Sequence, residues 1–508
     1  MSSRASPIRN TLTHWGGFVL SALIGFLLSP VVVRELGNSV YGIWILITSV
    51  TGYLGLLDLG VRGAVIRYVA RFHAQGDHES ANSIASTAIA MFTVLGVLAV
   101  VVAGALALGL PVIFHDVPAE HLPEARLALL LTGGAVGLSL VASVYGGVVG
   151  GLQRFDLINA WAAGTNIVRS ALVYFAVTRG YGILALAAIA LLVTSWYAVV
   201  TRSLARGLYP ELVIRRRLAE WKWVGVIFSF GLASVMINAS HMLIGQADAI
   251  VIAAFLPVAQ VTFFSIGAGL VHHAQAIQRG VTFMIPAMIS AMQAKGTTDG
   301  VRRTVIRGAR ALSMILLPIA VTFLIRGSSF IGLWMGPEYS ELSGRVLQIL
   351  TVRMWFTAGM GVLSTSLQGL NRHQKLVPVM IAEALTNLAL SIALVRPFGV
   401  VGVALGTALP SLVTVLGVFP RIYRRELGIG LGNLAREIWG RTTLAVIPFA
   451  AATWAIERTW PADGLLQFFA QVAAILPLAF AGAWILAMDD EDRNVIRGRF
   501  HRMFRSLA

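Results

Sequence analysis

Apolar runs of about twenty residues, separated by short polar segments, recur along the whole chain. They lie near 11–33, 41–70, 84–114, 125–152, 157–178, 183–204, 223–254, 258–292, 304–325, 342–370, 376–395, 398–420, 440–457 and 465–487. At ~1.5 Å per residue each can cross a hydrocarbon core of ~30 Å, so the pattern predicts about fourteen transmembrane helices. The run from Thr11 to Val33 exceeds the ~7–15-residue core of a secretory signal, and no small-residue cleavage site follows it. It reads as the first span.

Composition agrees with an all-α membrane protein. Of 508 residues, 57% are hydrophobic and 12% charged, about half the charge of an average soluble domain. Mean hydropathy is +0.79. The net charge of +16 sits between apolar runs and not on an amphipathic domain, which argues for anionic lipid headgroups and against nucleic acid. With no cysteine, disulfides, thiolate metal sites and cysteine nucleophiles are excluded. If both termini are cytoplasmic, 28 of the 39 Lys and Arg fall on inner segments, six on outer segments and five within spans. That asymmetry supports an even number of spans, because one helix more or fewer would invert every later loop.

The two halves resemble each other. Gly151-Leu152-Gln153-Arg154 matches Gly369-Leu370-Asn371-Arg372, Thr165-Asn166 matches Thr386-Asn387, and the stretch from Gly180 matches that from Pro397, at offsets of 218, 221 and 217. Six spans therefore repeat as six, in parallel, about an axis along the membrane normal. The expected divisions are a lobe over 1–204, a basic cytoplasmic linker over 205–222, a second lobe over 223–425, a cytoplasmic loop with helices thirteen and fourteen over 426–487, and a basic amphipathic cytoplasmic tail over 488–508.

The segment Val31 to Ala70, with Arg34-Glu35-Leu36-Gly37, Tyr41-Gly42 and Asp58-Leu59-Gly60, resembles the opening of the polysaccharide-biosynthesis flippases. These belong to the multidrug/oligosaccharidyl-lipid/polysaccharide (MOP) exporter superfamily. Gly336-Pro337-Glu338-Tyr339 and the small-residue run Gly402 to Ala408 also fit, and the likeness covers roughly 10–425. It implies two six-helix lobes in a V shape in a bacterial plasma membrane. It also implies a transporter, not an enzyme, that exports an oligosaccharide on polyprenyl (undecaprenyl) pyrophosphate by alternating access, with a glycan polymerase or glycosyltransferase as partner. In related peptidoglycan-precursor flippases two extra C-terminal helices border a groove for the lipid tail.

An arginine at mid-bilayer costs ~2.5–3.5 kcal/mol on insertion scales, so arginines within spans must face water, protein or an anion. Arg62, Arg169 and Arg279 lie well inside, whereas Arg345 and Arg353 lie nearer the outer rim. Arg62-Gly63 and Arg279-Gly280 are 217 apart, one on the second helix of each lobe. A guanidinium binds phosphate in a fork and stays charged when partly dehydrated. Arg62 and Arg279, with Arg169 and Arg353, are candidates to receive the pyrophosphate. Arg62 could instead pair with Asp58, four residues earlier on the same face. Asp58, Asp248 and Glu383 are candidates for coupling to a proton or sodium gradient, or else partners for the intramembrane arginines. No cofactor or metal is expected.

Asn166 and Asn387 read as hydrogen-bonding glue between helices. Adjacent His272 and His273 point about 100° apart and suit gating or packing better than metal ligation. Asp489-Asp490-Glu491-Asp492 reads as a solvated cap, and Val495, Ile496, Phe500, Met503, Phe504 and Leu507 as the apolar face of an interfacial helix. Gly428 to Gly432 follows no strand and reads as a loop. Trp221, Trp223, Trp334 and Trp460 suit interfacial anchoring. Three other functions compete: a drug or metabolite exporter of the same superfamily, which would need more acids than arginines in its cleft; a membrane glycosyltransferase or ligase, which would need a large outer loop; and a scaffold with no transport role, which leaves the paired buried arginines unexplained. The longest outer segment, about Arg326 to Glu341, is too short for a domain.

Overall fold

The computed structural model describes residues 7–114, 116–296, 298–494 and 497, and secondary structure among them is helical throughout. The apolar face of the tail (Val495, Ile496, Phe500, Met503, Phe504, Leu507) lies outside the described residues. Every one of the fourteen expected spans falls on helix. The first two are halves of α1 (Pro7–Leu54), which turns at Gly37, where φ is 75° and a side chain would be strained. The second continues through a 3₁₀ turn, Gly55–Asp58, into α2 (Val61–Gln75). Spans three to six are α3 (His78–Ile113), α4 (Leu122–Gly151), α5 (Phe155–Thr178) and α6 (Ile183–Leu208).

Span seven is α7 (Trp221–Phe255), and span eight is α8 (Ala259–Thr282) with α9 (Ile285–Ala294). Span nine is α10 (Thr298–Trp334); α11 (Ser340–Thr357) and α12 (Met360–Gly369), bent by 49° at their break, form span ten. α13 (Val377–Val413) turns at Gly399 and so holds spans eleven and twelve, the second running on toward α14 (Phe419–Leu427). α15 (Leu431–Asn433) leads into α16 (Arg441–Thr459), and α17 (Leu465–Gly482) is last.

The repeated motif has repeated geometry. Gln153 and Asn371 both adopt left-handed backbone, at φ of 60° and 55°. The Arg154 N–H donates to Val149 O and the Arg372 N–H to Leu367 O, closing two helices with the same 6→1 bond.

The chain forms two compact units, Met1–Ser265 with Ser391–Val403, and Ile266–Leu390 with Ala404–Ala508. The boundary falls within α8 and near the Gly399 turn, beyond the basic segment 205–222. In the first unit, that segment is a strap bound along α3. Asn82 Nδ2 donates to Glu211 O (2.9 Å), the Val213 N–H to Asn82 Oδ1 (3.0 Å), the Arg215 N–H to Ser86 Oγ (3.2 Å) and the Glu220 N–H to Thr87 Oγ1 (3.0 Å). These side chains satisfy backbone groups that the strap, which holds only a 3₁₀ turn at Arg216–Leu218 between α6 and α7, leaves open. Trp223 Nε1 donates to Ser83 Oγ (3.0 Å), so this tryptophan is also part of the lock.

Glycine sets the close helix approaches in this unit. A Cβ on Gly96 of α3 would lie 2.9 Å from Gly137 O of α4, and one on Gly137 2.7 Å from Gly96 O. Gly42 meets the Val258 carbonyl, and Gly52 of α1 faces Gln246 of α7.

In the second unit two arginines are almost fully buried, Arg310 at 1% and Arg326 at 0% exposure. Arg326 Nε donates to Glu457 Oε2 (2.7 Å) and Nη2 to Gln471 Oε1 (2.7 Å), and its guanidinium lies over the Phe468 ring at 4.4 Å. Arg310 bonds Asp489 and, at 3.3 Å, Asp492. Arg441 reaches Asp489 at 2.6 Å, and Arg307 pairs with Glu491. The acidic run is therefore not the solvated cap its sequence suggests: Asp489, Glu491 and Asp492 meet the arginines of α10 and α16. Burial pushes the Asp489 carboxyl up, but hydrogen bonds and charge from Arg310 and Arg441 outweigh it and hold it below the ordinary carboxylate range.

Two expectations follow. Arg326→Ala leaves the half-buried Glu457 without its cation and should lower stability by up to about 3 kcal/mol, whereas Arg326→Met with Glu457→Gln should cost less; thermal unfolding in detergent compares them. Because the folded-state value of Asp489 lies below its unfolded one, its contribution is full above ~pH 4 and is lost as pH falls through the folded value. The melting temperature should therefore drop on acidification, and Asp489→Asn should flatten that drop.

Candidate functional site

The candidate residues cluster separately in each unit. In the first, the helix break at Leu59 and Gly60, with φ of 46° and 74°, puts Asp58 at the end of one helical segment and Arg62 in the first turn of α2. Arg62 is exposed, and Asp58 lies within its electrostatic reach. The two form no ion pair within 4.0 Å, and Asp58 Oδ1 is buried with no hydrogen-bond partner among the described residues. Tyr197 of α6 also lies in the field of Arg62. Arg169 is exposed on α5, and one turn before it Asn166 Nδ2 donates to Ser21 Oγ at 2.9 Å, tying α5 to α1 as the glue reading expected. Asp248 is buried on α7 beside Tyr53 of α1. Sequence reasoning passed over Tyr53 and Tyr197, which carry no charge and follow no motif.

In the second unit Arg279 is exposed near the end of α8, with Gly280, Val281 and Thr282 between it and the break at 283–284 that leads into α9. Arg279, Arg353 and His273 all act electrostatically on His272, so four nitrogen bases gather on α8 and α11. Arg353 Nε donates to Ser411 Oγ at 2.9 Å. Thr414 Oγ1 approaches both Glu383 Oε2 (2.8 Å) and Ser411 O (2.9 Å). Arg353 and Glu383 thus hold the same turn of α13 and its continuation without pairing directly. Asn387, one turn beyond Glu383, is 1% exposed, and neither end of its amide has a partner among the described residues. It does not match its repeat equivalent Asn166, which is bonded. Arg345, expected near the outer rim, pairs with Glu341 at 2.6 Å and is 61% exposed.

The described geometry is a helical membrane protein whose two halves share backbone motifs, with unpaired arginines beside helix breaks. A solved lipid II flippase, in an inward closed conformation, has the same fold: TM-score 0.71, 11% identity, covering 94% of this chain and 98% of that one. An inward-facing multidrug resistance MATE family transporter of the MOP superfamily matches at TM-score 0.64 and 16% identity, covering 82% and 99%. The fold is accordingly that of a multi-pass helical membrane protein, shared with these two solved transporters.

Residues 8–292 match the model of the polysaccharide biosynthesis protein family, and the chain belongs to that family. A Shigella flexneri protein named as a candidate O-antigen transporter is 19% identical over 427 residues, covering 81% of this chain and 96% of its own length. A Haloferax volcanii protein named as a probable flippase is 22% identical over 424 residues, covering 82% and 83%.

The hydroxyl on Glu383 can be tested by itself. Thr414→Val removes the donor of a buried carboxyl group and should lower stability in detergent by about 1–3 kcal/mol. Adding Glu383→Gln should recover part of that loss, because a neutral amide is cheaper to leave short of a bond than a carboxylate.

Proposed function

We propose that the protein carries a polyprenyl-pyrophosphate-linked oligosaccharide from the inner to the outer leaflet of a bacterial plasma membrane by alternating access. Its termini face the cytoplasm, and lobes over 1–204 and 223–425 rock about a central path. The observation that carries this reading is the pair Arg62 and Arg279. They stand 217 residues apart on the second helix of each repeat, each exposed, each beside a helix break, and neither in an ion pair among the described residues. A cation in hydrocarbon without an acid needs a mobile anion or water, and a pyrophosphate meets that need twice over. Arg353 acts on the same His272 as Arg279 and adds a second guanidinium there, which favours an anionic cargo over the cationic drugs of an exporter. The names of the relatives from Shigella flexneri and Haloferax volcanii point the same way.

In this scheme Arg169 takes a secondary part in binding. Asp58, Asp248 and Glu383 are the groups through which a proton or sodium gradient, or the membrane potential, would be coupled to the motion. Membrane lipids surround the protein, and a glycan polymerase or glycosyltransferase supplies or consumes the cargo.

Vesicles holding the purified protein and a fluorescent pyrophosphate-linked glycolipid report leaflet exchange. A charge-assisted hydrogen bond is worth ~1.5–3 kcal/mol, so Arg62→Gln and Arg279→Gln should each slow exchange by about ten- to a hundredfold. Arg345→Gln, on a surface pair, should leave it unchanged. Wild-type exchange by the Arg62→Gln, Arg279→Gln double variant would overturn the assignment.

A further inference from the structure

The first unit contains an apolar cavity of about 480 Å³ that neither the arginines nor the carboxylates use. Its walls come from the second half of α1 (Leu46, Val50, Leu54, Leu57), from α3, and from one residue each of α4 and α7. Tyr53 is the one lining side chain with a polar group. The floor is buried, with Leu46 at 1%, Leu54 at 7%, Leu110 at 3% and Leu129 at 2% exposure. The rim is open, with Leu98 at 44% and Ile113 at 43%. It is therefore an open furrow and not a sealed void.

The furrow exists because glycine draws helices together in two separate pairs. α3 closes on α4 at Gly96 and Gly137, and α1 closes on α7 at Gly52 and Gly55, where a Cβ would stand 3.2 Å from Gln246 and 3.1 Å from Met242. Between the pairs, Leu54 of α1 packs on Ala99 and Ala103 of α3.

Length and charge identify what fits. Along α3 the lining runs from Leu98 to Phe114, sixteen residues or about 24 Å. One leaflet of hydrocarbon is about 15 Å deep, half of ~30 Å. An ordinary acyl chain ends partway along such a furrow, and a longer isoprenoid continues. At the inner end the lining stops at Leu57, the residue before Asp58, and Arg62 opens the next helix. A chain lying in the furrow would thus hold an anionic head at Arg62.

We infer that this furrow between α1 and α3 seats the isoprenoid tail of the lipid-linked glycan while Arg62 holds its phosphates. The inference rests on the transport reading above. It places the tail in the first unit, apart from α16 and α17. The tail remains in hydrocarbon throughout, so only the headgroup needs a polar path.

The test uses the full chain in phospholipid vesicles with an undecaprenyl phosphate whose tail carries a diazirine. Photolysis should place adducts on α3 between Leu98 and Phe114 and on the second half of α1, and unlabelled undecaprenyl phosphate should compete where phosphatidylglycerol does not. Adducts spread evenly over lipid-facing helices, adducts confined to α16 and α17, or equal competition by phosphatidylglycerol would each overturn the inference. A filled furrow gives a second readout. Val102→Trp with Leu106→Trp should cut glycolipid exchange by about tenfold or more, while Val94→Trp, at a position 69% exposed on the same helix, should not. Normal exchange by the filled variant would remove the furrow and leave the transport reading standing. Furrow labelling with no exchange by wild type would remove the transport reading and leave the furrow.

Discussion

The cost of a charge in hydrocarbon governs this molecule, and it is met most completely at two points along α10. Arg310 and Arg326 are sixteen residues apart, about 24 Å along a helix, and both are almost wholly buried. An unpaired guanidinium so placed would cost several kcal/mol. Each is instead met by acids from the last part of the chain: Glu457 of α16 for Arg326, and Asp489 and Asp492 after α17 for Arg310. The last two helices are thereby fixed to α10 at both points, so their attachment is not the weak contact that apolar helices make in lipid. Arg310 Nε and Nη1 and Arg326 Nη1 still lack hydrogen-bond partners among the described residues, which makes removal of any acid more damaging.

Against that background the other arginines separate into a second class. Arg62, Arg169 and Arg279 are exposed, and no ion pair holds them among the described residues. A protein able to bury Arg326 with a carboxylate, an amide and an aromatic ring has the means to neutralise a cation. Where it leaves one open, the binding role proposed above accounts for the charge and stability does not.

The spans were legible because length and hydropathy are local properties, and the turns at Gly37 and Gly399 follow from glycines between apolar runs. The repeat was legible in a four-residue motif, and its meaning is now geometric: Gln153 and Asn371 share a left-handed backbone that terminates a helix in the same way. What could not be read were partnerships across the chain. Arg310 and Arg326 counted only among the inner- and outer-segment cations, because the acids that hold them are 131 to 182 residues away. The Asp489 cluster looked solvated for the same reason. The basic segment 205–222 looked like a free linker because its anchors are backbone groups bonded to Asn82, Ser86 and Thr87, and no pattern of side chains in the segment announces them. Of the candidate site, the arginines stood out by residue type alone, whereas Thr414 and Ser411, which link Arg353 to Glu383, had nothing to mark them.

The open furrow follows from the same solvent. In water, two leucine-lined helix pairs separated by a gap would be driven together, since every apolar Å² removed from water is worth roughly 25 cal/mol. In lipid that force is absent, because hydrocarbon outside the protein solvates leucine as well as leucine does. Helices then approach most closely where small residues allow it, as at Gly96 with Gly137, where backbone meets backbone, and at Gly52, beside the Gln246 side chain. A furrow of this kind needs no strain to remain open, and a branched hydrocarbon chain can enter or leave it by exchanging one apolar contact for another. The arginine at its inner end, where no such exchange exists, is what makes one lipid differ from the rest.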